Sequence, residues 1–257
     1  MNDIAGVRVF CPSFKRAEVR SSTQEYLPWC RLVVAESAAG MYRDSGNDVV
    51  ACPDKVQGNA SRVRNWILDQ NQDARGVLLL DDDISWIGRW SNGIHKKLTR
   101  AEVEEFIDHG YTLAEEWGAP FWGVNLNTDK SIYQEYAPFS TTRPILGPFQ
   151  AHRPSRIRYD EDLPLKEDYD ISIQYLNEFR KILRFNMYHY ACKQNKQIGG
   201  CSAYRTIDRE RAQFLALQKK WGTRIVKAEA GNHPQKVSRK AKTVDINPKV
   251  IVPIRGI

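Results

Sequence analysis

Four apolar residues with no polar alternation, Val77, Leu78, Leu79 and Leu80, run directly into three aspartates, Asp81, Asp82 and Asp83. Such a run fits a strand buried on both faces, and its carboxyl end then carries fixed negative charge into a crevice at the sheet edge. On an extended chain Asp81 and Asp83 point the same way and can share a partner, while Asp82 turns aside. A hard divalent cation with phosphate ligands would relieve their mutual repulsion. The plainer alternative is an acidic turn, or a helix start capped by Asp.

Short apolar runs flank this one. Val7 to Phe10, Leu32 to Ala35 and Val49 to Ala51 read as strands, and Gly58-Asn59-Ala60-Ser61 opens a helix with Ala60, Val63 and Ile67 at helical spacing. Strand and helix alternating from residue 7 to 84 predict βαβ units, hence an α/β fold with a mixed, mostly parallel sheet flanked by helices. Thr99 with Glu102 is a capping-box signature, starting a helix that Gly118-Ala119-Pro120 stops. Phe121 to Asn125 is a further strand, and residues 127 to 145 a loop region over the site. A helix after Asp170 carries Ile171, Tyr175, Leu176, Phe179, Ile182 and Leu183 on its inner side. Another runs from Thr206 to Trp221, followed by a short strand at Ile225-Val226 and an edge strand at Val250 to Val252. Nothing in the composition divides the chain, so one domain over residues 1–257 is expected, with a basic segment in its C-terminal part.

With 257 residues the chain can bury a real core, and it has no apolar run long enough for a membrane span. Five scattered cysteines without a CxxC pair argue against a disulfide framework and a zinc knuckle, which implies a reducing, cytoplasmic setting. The net charge of +7 suits a polyanionic partner or simply a solvated basic surface.

The order of motifs over residues 7 to 185 resembles the GT-A glycosyltransferases of the family-2 type. Pro12-Ser13-Phe14-Lys15-Arg16 matches the phrase after their first strand, Glu36 the acid after the second, and Gly58 to Arg64-Asn65 the Gly-led helix. Asp81-x-Asp83 matches the metal motif, Ile145-Leu146-Gly147 the glycine strand before the acceptor site, and Tyr159-Asp160-Glu161 with Glu167-Asp168-Tyr169-Asp170 the closing acidic phrase. The resemblance implies a GT-A, Rossmann-like fold and transfer of a sugar from a nucleotide sugar, most simply a UDP-sugar, to a hydroxyl with inversion. It assigns Mn²⁺ or Mg²⁺ to Asp83, with Asp81 assisting or binding ribose, and a late histidine, His233, completing the metal sphere with His189 as competitor. His95, His109 and His152 are read as surface residues.

By the same carry-over, Asp168 is the base toward the acceptor and Glu167 orients it or binds acceptor; a helix cap is the alternative for Asp168. Pro12, Ser13, Arg16, Glu36, Arg62, Asn65, Asp81 and Asp82 fall to the nucleotide sugar. Glu36 could instead cap its turn, and Arg62 stand as an exposed helix arginine. Gly147, Arg153, Arg156 and Arg158 fall to the acceptor rim.

The C-terminal part, Gly199-Gly200-Cys201 through Tyr204-Arg205-Thr206 to Trp221-Gly222, is similar to the TET-associated glycosyltransferases of phages and bacteria. That narrower resemblance implies a 5-hydroxymethylpyrimidine in DNA as acceptor, with Lys193, Lys196, Lys219, Lys220 and the basic 236–242 segment adding phosphate contacts. Trp86, Trp90, Tyr133 and Tyr136 could stack on a base or sugar, or simply pack. Other readings of the residues are a family-2-type enzyme acting on polysaccharide, lipid or protein, a nucleotidyltransferase, and a nucleic-acid-binding module on a transferase scaffold.

Overall fold

The computed structural model describes residues 3–126, 129, 133–192, 205–228 and 246–254. The chain opens with strand β1 (Val7–Pro12), a short helix α1 (Ser22–Tyr26), β2 (Arg31–Ala35), helix α2 (Ala39–Asp44), β3 (Val49–Cys52), α3 (Ala60–Asp69) and β4 (Gly76–Leu80). A hairpin follows, β5 (Ile84–Ser91) with β6 (Ile94–Lys97), then α4 (Arg100–Glu116), β7 (Phe121–Asn125), β8 (Phe139–Ser140) and β9 (Phe149–His152). The last elements are α5 (Glu167–Phe179), β10 (Leu183–Cys192), α6 (Ile207–Trp221), β11 (Val226–Ala228) and β12 (Pro248–Val250).

Ten strands form one mixed sheet in the order β3-β2-β1-β4-β9-β7-β10-β5-β6, with β8 also against β10. β1, β2, β3 and β4 pair in parallel, as do β7 and β10, while β9 runs antiparallel to both its neighbours. Of the seven strands from β3 to β10, β9 alone is reversed. β4 and β7 are buried along their whole length, which is why their sequences are near-continuous apolar runs rather than alternating ones.

Helices cover both faces. α4 brings Val103, Phe106, Ile107 and Tyr111 against Leu78, Leu80 and Trp122 on one side. α3 and α5 bring Val63, Ile67, Ile171 and Tyr175 against Phe10, Leu79 and Phe121 on the other. Local chemistry sets the helix starts. Asn59 caps α3 by accepting from the Ser61 and Arg62 amides, and Thr99 with Glu102 forms the expected capping box on α4. A third cluster, Leu163, Tyr169 and Ile173 with Phe214, Leu217, Val226 and Ile246, packs α6 and the β11–β12 ribbon against the start of α5.

Two of the expected elements differ in the structure. The helix α5 ends at Phe179, with Arg180 in the left-handed conformation (φ 63°), so Ile182 and Leu183 belong to the approach and start of β10 and not to the helix. The strand late in the chain is β12, which pairs with β11 in its own two-stranded sheet and not with the main one. Cys11 and Cys30, 19 residues apart in sequence, meet in the core with their Sγ atoms 2.8 Å apart, and both are free thiols. Among the described residues, no helix is long and apolar enough to cross a membrane.

Candidate active site

Parallel strands aligned by their carboxyl ends bring Pro12, Ala35 and Leu80, and whatever follows each, to one edge. The residues after Leu80 make the acidic centre. Asp82 is buried and turns back under the sheet edge, accepting from the Ser13 hydroxyl and pairing with Arg16. Burial pushes its carboxyl up, and the Arg16 charge and the Ser13 hydroxyl hold it down. The Asp82 carbonyl accepts from the Ser21 hydroxyl at 2.7 Å, and that of Asp81 from the Thr23 hydroxyl at 2.6 Å. The triplet is therefore clamped through its backbone, and its side chains do not have to hold it.

Asp81 presents the more open carboxylate, 40% exposed, with Arg64 Nη2 at 3.1 Å. Asp83 is buried. Its Oδ2 lies 3.9 Å from Arg16 Nη1, and its Oδ1 has no hydrogen-bond partner among the described residues. Burial, with Asp81 and Asp82 adding, pushes its carboxyl up to about 6. An orphaned buried carboxylate oxygen beside a second carboxylate fits a hard divalent cation. No group of three or more His, Cys, Asp or Glu side chains is so arranged among the described residues, so phosphate oxygens and water would supply the other ligands.

Facing the triplet is the head of α5. One Asp168 oxygen accepts from the Gly147 amide at 3.0 Å and the other from the Tyr169 amide at 2.8 Å. The carboxylate thus both ties the first turn of α5 and holds the Gly147 turn. Glu167 Oε1 takes Arg64 Nη1 at 2.9 Å. Burial drives its carboxyl up to about 7, against the Arg64 charge and with Asp168 adding. Arg64 itself is buried, with its guanidinium 5.4 Å from the Tyr159 ring centre. Asp170, in the same first turn, points away to Trp221 Nε1 at 2.7 Å and to Lys220. Lys166, just before the helix, is buried against Glu210 of α6 at 2.5 Å. Such a pair fixes α6 to the acidic head at the cost of two desolvated charges.

The sequence-derived residues divide accordingly. Pro12, Ser13, Arg16, Asp81, Asp82, Asp83, Gly147, Glu167 and Asp168 come together at this edge, and Glu36 stands exposed just past the end of β2. Asn65 brackets the Tyr159 backbone, donating to its carbonyl at 2.9 Å and accepting from its amide at 2.8 Å. Arg62 points outward to Glu161 at 2.9 Å and the Lys55 carbonyl.

Arg153, Arg156 and Arg158 do not rim this site, and the physical reason is the direction of β9. Its Phe149 pairs with Leu80 and its His152 with Val77, so the chain leaves the acidic edge and emerges at the amino end of β4. Four strand residues separate Arg153 from the aspartate edge by about 13 Å. There the three arginines line a separate open groove of about 830 Å³ with Gln174 and Glu178, and Arg158 pairs with Asp69 at 2.7 Å.

His152 is buried between Tyr159 and Tyr175, at 2.7 and 3.1 Å from their hydroxyls, and not on the surface; burial drops its pKa to about 3. His109 is exposed, and His95 lies against the buried His189, Nε2 to Nε2 at 2.9 Å. His233, Lys193, Lys196 and the 236–242 segment lie outside the described residues.

Arg64 is the site residue that sequence reasoning passed over. Its signal was present: it sits four residues after Ala60 and four before Leu68, on the apolar stripe of α3, where a charge needs a buried partner.

No family model matches the chain, and no curated protein does. Among solved structures it is similar to S. aureus TarS 1-349 at 15% identity and a TM-score of 0.43, covering 72% of this chain and 59% of that one. The same TarS fragment in complex with UDP gives 17% identity and a TM-score of 0.45 over the same shares. CMP:2-keto-3-deoxy-manno-octonic acid synthetase complexed with CTP gives 9% and 0.42, covering 83% of this chain and 99% of that one. The chain thus spans 59% of the length of the TarS fragments it matches.

Proposed function

We propose that this chain is a glycosyltransferase that moves a sugar from a nucleotide sugar, UDP-linked, to an acceptor hydroxyl with inversion. The observation that carries the reading is the Arg64 guanidinium shared by Asp81 and Glu167. It links Asp81 of the triplet to Glu167 at the head of α5, so that the two acidic groups lie side by side, which supports a donor site on one and an acceptor site on the other. Asp83 and Asp81 would hold Mn²⁺ or Mg²⁺, which when bound supplies Lewis-acid neutralisation of the departing diphosphate.

Asp168 takes the acceptor's proton. As the acceptor oxygen bonds to the anomeric carbon, the bond from that carbon to the diphosphate oxygen breaks on the opposite face. The two amides on Asp168, from Gly147 and Tyr169, fix the direction of its lone pairs before the acceptor arrives. Arg64 holds Glu167 in place, and Ser13 and Arg16 take up both carboxylate oxygens of Asp82, which would leave Asp83 and Asp81 to a cation.

For the acceptor, the reading favoured is a 5-hydroxymethylpyrimidine in DNA, and it rests on the sequence resemblance of the C-terminal part. The test is nucleoside mass spectrometry after incubating the protein with UDP-sugars and hydroxymethylcytosine DNA, plain DNA or a polysaccharide mixture. A hexose on the modified base alone supports the DNA reading. Transfer only to a glycan or protein replaces it with the broader family-2 acceptor class, and no transfer to any acceptor overturns the function.

A further inference from the structure

One buried hydroxyl beside this site makes no hydrogen bond among the described residues. Tyr190 lies near the end of β10, almost wholly buried, and its Oη has no hydrogen-bond partner among the described residues. It stands over the Gly147 turn so closely that a Cβ on Gly147 would come within 2.1 Å of it. That turn is the one whose amide holds Asp168. Burial, then Cys192 and the carboxylates Asp81, Asp168 and Asp83, push the phenol's pKa well up, so the group stays protonated and can donate. A buried hydroxyl left unsatisfied costs free energy, so one placed beside a candidate site calls for a partner from outside the protein.

Which ligand is fixed by what surrounds it. In a direct displacement the transferred sugar must sit between the departing diphosphate and the incoming hydroxyl. Here those ends are Asp83 and Asp168: Tyr190 Oη stands against the Gly147 turn whose amide holds Asp168, and two residues further along β10 Cys192 pairs with Ile84, the neighbour of Asp83. We infer that Tyr190 donates a hydrogen bond to a hydroxyl of the transferred sugar, making it a sugar-selecting residue of the site. The inference rests on the glycosyltransferase reading and goes beyond it by naming the residue that distinguishes a nucleotide sugar from its bare nucleotide.

Tyr190→Phe removes one oxygen and keeps the ring. Calorimetric titration with UDP and with UDP-glucose, UDP-galactose and UDP-N-acetylglucosamine, in Mn²⁺, separates the possibilities. The expected result is unchanged UDP affinity and a loss of roughly threefold to tenfold for the bound UDP-sugar, the worth of one hydrogen bond. In the ligand-free protein the same change should leave the melting temperature equal or higher, because no internal bond is lost. Equal effects on UDP and UDP-sugar, no effect on either, or a ligand-free Phe variant that melts several degrees lower each overturn the inference. A wild-type protein that binds UDP but none of the sugars also overturns it. One that binds no nucleotide at all overturns the parent reading instead.

Discussion

Arg64 Nη1 donates to Glu167 Oε1 across 2.9 Å, joining residues 103 positions apart on α3 and α5. The bond exists although burial holds the Glu167 proton up to about 7, where an ordinary glutamate titrates at 4.5. The folded state therefore binds that proton more tightly than the unfolded chain does. Stability from this group is greatest below about pH 4.5 and is lost as pH rises through 7. Glu167→Gln keeps the shape and the acceptor for Arg64 without titrating. It should match the wild type near pH 5 and exceed it by on the order of 1–3 kcal/mol at pH 8. Denaturant unfolding at both pH values measures this; a constant difference between the two proteins would show that Glu167 does not titrate with folding.

Gly147 has φ +73° and faces the Tyr190 hydroxyl. Gly147→Ala places a Cβ in a left-handed conformation, a cost of roughly 1–2 kcal/mol before the clash is counted. The variant should melt lower and turn over more slowly, because the amide that aims Asp168 moves with the turn. Adding Tyr190→Phe should return part of the lost stability. A single variant that melts like the wild type would mean the turn has slack.

Asp83 carries a buried oxygen with no partner among the described residues, a position from which it can gain from a cation. Asp83→Ala should lower nucleotide-sugar turnover by roughly two orders of magnitude or more and abolish the effect of Mn²⁺ on UDP binding, while the fold survives. Turnover that persists in EDTA, or in the variant, removes the cation from the chemistry.

Arg153, Arg156 and Arg158 stand at the amino end of β4. Changing Arg153 and Arg156 to Ala, with Arg158 left on Asp69 to preserve its pairing, should leave UDP-sugar hydrolysis within about twofold of the wild type, as for surface changes remote from a site. A large loss would show that the far groove is coupled to the acidic edge.

Much of this was legible in the sequence because it was local. The apolar run of Val77 to Leu80, the Thr99–Glu102 box and the Asn59 start all depend on neighbours a few residues away, and each forms where the pattern put it. What was hidden depends on distant pairing. The run Ile182-Leu183 continues the apolar spacing of α5, yet β10 takes it because β7 offers a partner strand for Leu183. Arg64 reads as one more helix cation until Asp81 and Glu167 are seen beside it. Arg153, Arg156 and Arg158 lie at the other pole, and sequence order places them between Gly147 and Asp168 without showing the reversed strand that intervenes.

That reversed strand has a consequence for how the molecule can change. β9 carries the chain from the chemical edge to the opposite pole in four residues, and both of its neighbours hold it in register. Substitutions just after His152 then act on the charge of one pole at a distance from the acidic edge. What the surface attracts and what the crevice does are free to vary separately, on the same short piece of polypeptide.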